Sequence, residues 1–137
     1  MANILEVSIP LAAQPQGSKN AYIINNRAVL VESAKDLKKN RAKFTTIIQA
    51  AAYAEKWVRA EKDTPVSVDA TFYIQRPKTV KREFPTTKPD GDKQLRFLLD
   101  AISDAQNVWV DDSQVVVARF QQLYADTPST RVEIIVG

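Results

Sequence analysis

The stretch Lys88-Pro-Asp-Gly-Asp-Lys-Gln-Leu-Arg-Phe-Leu-Leu-Asp-Ala-Ile102 constrains this chain more than any other. Pro89-Asp90-Gly91 has the composition of a turn. Beyond it, Leu95, Leu98, Leu99 and Ile102 recur at i, i+3, i+4 and i+7. That spacing lays one apolar stripe along a helix, and the stripe needs a core to receive it. Any fold of this chain must therefore bury the stripe while leaving two carboxylates, Asp90 and Asp92, where the helix begins.

The other segments supply such a core. Leu5–Leu11 alternates apolar and polar residues as a half-buried strand does, with Pro10 marking an edge or an end. Gln14–Asn20 is a loop by composition. Two short apolar runs around Asn25-Asn26 predict a β-hairpin, because Asn tolerates positive φ. Ser33 is a plausible N-cap for a long helix running to about Lys62, where Asp63-Thr64-Pro65 stops it. Val66–Ile74 alternates again. Val108-Trp109-Val110 reads as a short strand, and the runs Gln114–Tyr124 and Thr130–Val136 read as an antiparallel hairpin across Asp126–Ser129. The order β-ββ-α-β-α-βββ predicts an α+β fold, a mixed sheet with two main helices packed against it. At 137 residues the chain suits a single domain, residues 1–137.

Composition narrows the chemistry. The chain has no cysteine and no histidine, which excludes disulfides, thiolate catalysis, Ser-His-Asp triads and Cys- or His-ligated metals. Carboxylates, lysine, arginine, tyrosine and hydroxyls are what is left. Carboxylate-only sites suit hard cations, Mg²⁺ or Mn²⁺. The net charge of +3 permits an anionic partner without requiring one. Its distribution says more. Arg76, Lys78, Lys81, Arg82 and Lys88 face a single acid, Glu83, in a stretch broken by Pro77 and Pro85. A long polar loop in front of the carboxylates reads as functional, against the plainer alternative of a solvated surface loop. Lys35, Lys38, Lys39, Arg41 and Lys43 form a second basic set, which reads first as a solvated helix face. No apolar run approaches transmembrane length, and the N-terminus lacks a signal-peptide pattern, so the expectation is a cytoplasmic protein with no membrane contact.

An Asp before a helix is a favoured N-cap, so Asp90 or Asp92 alone has a structural explanation. Both together are harder to dismiss, since two carboxylates two residues apart repel unless a cation sits between them. A second acidic pair, Asp111-Asp112, follows Val110, and the turn there has neither the Gly nor the Asn that a tight hairpin favours. If the helix and the Val108–Val110 segment pack side by side, three or four carboxylates converge. Asp100 lies two helical turns beyond Asp92 and is better placed to orient a basic side chain. An EF-hand fits poorly, because Leu95 falls where the loop glycine belongs.

Lys88-Pro-Asp-Gly-Asp, the helix continuing to Leu99-Asp-Ala-Ile102, and Val110-Asp-Asp-Ser-Gln-Val115 together resemble the signature of the RusA family, phage- and prophage-associated Holliday-junction resolvases. The motif joins two separated blocks in the right order, and Glu32-Ser33 before the basic helix is also similar. The resemblance implies metal-binding catalytic roles for Asp90, Asp92 and Asp112, with Asp111 sharing the load. It implies one or two Mg²⁺ ions (Mn²⁺ as a substitute), a four-way DNA junction as substrate and a homodimer that makes paired symmetric nicks. It also implies a phage or prophage gene in a bacterial host. Arg76, Lys78, Lys81, Arg82, Lys88 and Lys93 are the candidate DNA contacts. Three positions depart from the family pattern: Lys93 replaces Asn, Gln94 replaces Leu, and Arg96 stands where the family has its catalytic Lys. Arginine keeps the charge and clamps phosphate, but it exchanges no proton at neutral pH. A less selective flap or fork nuclease and a junction-binding protein with a degenerate site are the alternative readings.

Overall fold

The computed structural model describes residues 3–16, 22–24, 27–29 and 32–137. A four-stranded sheet of order β1-β6-β4-β5 forms the frame. Its strands are β1 (Asn3–Ile9), β4 (Val66–Gln75), β5 (Val115–Ala125) and β6 (Ser129–Val136). β6 pairs antiparallel with both β1 and β4, whereas β4 and β5 run parallel. The helices α1 (Glu32–Ala54) and α2 (Gly91–Ala105) pack on each other, with α1 against β1 and α2 against β4 and β5. This is the expected mixed α+β arrangement. A separate hairpin of β2 (Tyr22–Ile24) and β3 (Arg27–Val29) matches the expected one. Its Asn25-Asn26 turn lies outside the described residues, as does most of the Gln14–Asn20 loop.

The alternation holds where it was expected. Leu5, Val7 and Ile9 of β1 and Val66, Val68, Ala70 and Phe72 of β4 are buried. Pro10 follows the last residue of an edge strand. On the opposite face, Glu6, Glu133, Asp69 and Arg119 stand in one row across all four strands. That polar row is what a sheet covered on one side presents to water.

Four expectations need correction. First, β5 and β6 are not a hairpin, because β4 lies between them. β4 offers β5 a full parallel ladder from Val66 to Gln75, so the Asp126–Pro128 connection crosses the end of β4. Second, Val108–Val110 is no strand. Trp109 makes a single parallel bridge to Ala60, and Val108 and Trp109 are fully buried as core residues. Third, the buried seam of α2 is rotated from the expected stripe, to Phe97, Leu98, Ala101, Ile102 and Ala105, while Leu95 and Leu99 are only partly buried. Phe97 meets Phe44 of α1 edge to face, 5.0 Å between centroids, and this aromatic pair sets the helix rotation.

Fourth, α1 stops at Ala54, well short of Lys62. Trp57 N–H donates to Ala52 O (2.9 Å) and Lys56 N–H to Tyr53 O (3.1 Å), the paired bonds of a Schellman closure. Trp57 then turns inward and its indole donates to Val108 O at 3.0 Å. Packing that ring, half-buried, against the core outweighs another two turns of helix that would leave it in solvent. Ser33 lies one residue inside the helix start, and its side chain is outside the described set. Lys56 occupies the left-handed closing position with φ 55°, where glycine is usual. Lys56→Gly should therefore stabilise the protein by about 0.5–1 kcal/mol, relief of the left-handed strain less glycine's greater unfolded entropy. Urea unfolding checks this, and an unchanged or lower midpoint would contradict it.

Candidate active site

The first acidic block opens α2. The Lys88–Pro89 peptide bond is cis. Asp90 sits at the N-cap position in extended geometry, φ −74° and ψ 118°, and its carbonyl accepts from Lys93 N (3.2 Å) and Gln94 N (3.1 Å). Its carboxylate does no capping and lies 3.2 Å from Lys93 Nζ. Asp92 is exposed in the first turn, where the helix dipole favours a negative charge. Between them Gly91 is buried, and a Cβ there would lie 2.2 Å from Phe120 Cε2. The turn that carries both carboxylates thus presses directly on a β5 aromatic ring.

Gln94 explains its own departure from the family's leucine. It is 2% exposed, yet both ends of its amide are satisfied. Nε2 donates to Ala13 O (2.9 Å), and Oε1 accepts from Gln122 Nε2 (2.8 Å), which also donates to Pro89 O (2.7 Å). The segment after β1, the start of α2 and β5 are tied together there without burying a charge.

The second acidic block is held by another buried amide. Asp111 is extended and leads into a short 3-10 turn, Asp112–Gln114. Gln114 Oε1 accepts from the backbone N–H of Val110 (2.8 Å) and Asp111 (2.9 Å). Its Nε2 donates to the carbonyls of Ala60 (3.2 Å), Glu61 (2.8 Å) and Thr64 (3.1 Å). One side chain therefore clamps the acidic turn to the segment before β4. The two carboxyls differ in proton affinity. Ser113 Oγ donates to Asp111 Oδ2 at 2.9 Å and holds that carboxyl below the usual range. Burial pushes Asp112 above it, and the charge of Asp111, a hydrogen bond between the two carboxyls and the charge of Asp100 push the same way. Ionised Asp112 accordingly opposes folding; the penalty is full above its raised pKa, shrinks as pH falls from there, and is gone below the ordinary carboxylate value.

The expected convergence of three or four carboxylates does not occur within one chain. Among the described residues, no three Asp or Glu side chains stand close enough to hold one ion. The reason is topological. α2 connects two parallel strands, so it must run back along the sheet, and its fifteen residues at about 1.5 Å each separate its two ends by about 20 Å. Asp90 and Asp92 sit at its start, whereas Asp111 and Asp112 follow its end. The carboxylates that bear on Asp112 are Asp111 and Asp100. Asp100 itself accepts from Gln16 Nε2 and lies 3.9 Å from Arg41, whose Nε is 3.1 Å from Asp104. Asp100 thus orients a basic side chain, and Arg41 is withdrawn from the basic face of α1. Arg96 is exposed one turn beyond Asp92, with no hydrogen bond or ion pair among the described residues.

The basic loop is ordered from within. The Arg76 guanidinium lies 4.4 Å over the Tyr124 ring and donates to the carbonyls of Arg82 and Glu83, the latter at 3.4 Å. Arg82 donates to Thr87 Oγ1 at 3.1 Å. Two of the candidate DNA contacts therefore shape the loop, a third, Lys93, faces Asp90, and Lys78, Lys81 and Lys88 are exposed. Sequence reasoning gave no role to Gln94, Gln114 or Gln16. Gln94 had a signal, since it lies three residues before Phe97 and four before Leu98 on the buried seam. Gln114 had one in standing within the acidic motif, just before an apolar run. Gln16 had none.

Gln114→Met keeps the volume but leaves two N–H groups and three carbonyls without this partner. It should destabilise the protein by at least ~2 kcal/mol in urea unfolding, and a smaller loss would mean that solvent replaces the clamp. In a carboxyl NMR titration of metal-free protein, Asp112 should titrate at higher pH than Asp111, and equal midpoints would contradict the shared-proton geometry.

No helix among the described residues is long and apolar enough to cross a membrane. The chain is similar to the uncharacterized protein YqaN of Bacillus subtilis (strain 168), 36% identical over 84 residues, which are 53% of this chain and 56% of that protein. It thus spans about half the length of the curated relative it matches. Residues 12–135 match the family described as Endodeoxyribonuclease RusA, a span that takes in both acidic blocks, the basic loop and both glutamine clamps. By that match over nearly its whole length, the chain belongs to the RusA endodeoxyribonuclease family.

Proposed function

We propose that this chain is a divalent-metal-dependent endonuclease that resolves four-way DNA junctions by paired symmetric nicks, acting in recombination and repair. The observation that carries the reading is the family match spanning both acidic blocks, in a chain whose available metal donors are carboxylates. Asp90, Asp92 and Asp112 are assigned to the ion, with Asp111 as their neighbour. Such oxygen donors suit Mg²⁺, with Mn²⁺ as a substitute. The chemistry an ion supplies when bound is charge neutralisation at the scissile phosphate and acidification of a water.

The chain's own residues do the rest. Arg96 brings a permanent positive charge to the phosphate as its transition state forms. Because arginine exchanges no proton at neutral pH, proton transfer falls to the carboxylates or to solvent. Lys78, Lys81 and Lys88, with the exposed Lys38, Lys39 and Lys43 of α1, bind phosphates in a salt-sensitive way. Two symmetric nicks call for two sites, which a C2 homodimer supplies. Among the described residues of one chain no three carboxylates form a cluster, and this gives the dimer a further role. Asp112 of one copy completes the site begun by Asp90 and Asp92 of the other. The setting is the cytoplasm of a bacterial host, with a phage or prophage gene as the source. Arg96 in place of the family lysine favours one other reading, a protein that binds junctions without cutting them.

Incubation with a labelled four-way junction, with Mg²⁺ and with EDTA, tests this directly. Paired nicks that require metal are expected, and Asp92→Asn and Asp112→Asn should each lose more activity than the ~10–100-fold typical of residues one shell away from a metal. Mixing the two inactive proteins should restore nicking of one strand, because half of the composite sites in a mixed dimer carry neither change. No restoration on mixing would put each site within one chain. Tight binding without cleavage under any divalent ion would leave the binding-only reading, and preference for a flap or fork over the junction would change the substrate.

A further inference from the structure

Phe84 is 51% exposed in the middle of the basic loop. An exposed phenylalanine alone needs no explanation. Its surroundings make this one different. The two residues before it, Arg82 and Glu83, have their carbonyls held by Arg76, which is itself stacked on Tyr124. The residue after it, Pro85, is buried. Arg82 is tied onward to Thr87. The backbone is thus restrained on both sides of Phe84 while the ring stays in solvent. Lys78, Lys81, Arg82 and Lys88 are exposed along the same loop, which runs on into Asp90 and Asp92.

An aromatic face restrained among cations fits a nucleobase with phosphates on either side. Stacking takes the base and lysine takes the backbone, and this pairing of contacts is how proteins grip unpaired strands. In a continuous duplex the base faces are occupied by their neighbours. They become available where strands part. We infer that Phe84 is a base-stacking contact, taking an unstacked base at the branch point of the junction and setting the register between that point and the carboxylates. The inference rests on the branched-DNA reading given above.

The test uses the whole 137-residue chain carrying Asp92→Asn, in EDTA, so that binding is read without cleavage. The probe is a synthetic four-way junction with 2-aminopurine at the branch point, beside a duplex of the same sequence. Phe84→Ala should weaken junction binding roughly 10-fold and abolish the rise in 2-aminopurine fluorescence on binding. Duplex affinity and thermal midpoint should not change. Phe84→Trp should restore affinity and Phe84→Leu should not. The salt dependence should be unaltered by Phe84→Ala, whereas Lys81→Ala should reduce its slope by about one. Unchanged junction affinity in Phe84→Ala, or an equal loss on duplex and junction, would overturn the inference. If the parent protein fails to bind any junction, the functional reading falls first and takes this inference with it.

Discussion

The parallel pairing of β4 with β5 is the constraint on which the other features of this protein depend. Parallel neighbours cannot be joined by a tight turn, so the chain leaves β4, travels the length of the sheet as α2 and enters β5 from the far end. The outward leg becomes the basic loop, Arg76 to Lys88. The return leg ends in the acidic turn before Val115. One connection thereby puts Asp90 and Asp92 at the start of α2, with the basic loop leading into them, and Asp111-Asp112 beyond its end. The same pairing displaces β6 to the opposite side of β4, which is why two strands adjacent in sequence are not neighbours in the sheet.

Both acidic blocks are fastened by buried amides. Gln94 and Gln114 each donate and accept at once: Gln114 satisfies five backbone groups, and Gln94 holds the Ala13 carbonyl and the Gln122 amide, neither with the large desolvation cost of a buried ion. The carboxylates are left with few obligations of their own. Asp90 does not cap its helix and Asp92 is exposed. Asp112 is pushed toward protonation by burial and by its neighbours. The scaffold around the acidic turns is thus carried by neutral groups, and the carboxylates take little part in it.

The basic loop shows the same division of labour. Arg76 and Arg82 spend their donors on the loop's own carbonyls and on Thr87, and Arg76 spends its face on Tyr124. Arginine suits this work because its planar fork reaches two acceptors at once. Lys78, Lys81 and Lys88, by contrast, remain exposed along the loop. A loop broken by two prolines can in this way present a defined surface without belonging to a helix or strand.

Local pattern determined the elements themselves. Alternation in β1, β4 and β6, the turn at Pro89–Gly91, the apolar periodicity of α2 and the two acidic blocks are all read over a few residues, since side-chain direction follows backbone period. The absence of histidine and cysteine likewise restricts any metal site to oxygen donors. What tertiary structure decided were the relations between distant residues. The Phe44–Phe97 contact rotated the buried seam of α2. A half-buried indole packed on the core ended α1 eight residues early. The ladder along β4 separated β5 from β6. The length of α2 held apart two carboxylate blocks that stand close in the sequence motif. Each of these outcomes depends on which surfaces meet in space, and the energy of that meeting is not contained in any local window of the chain.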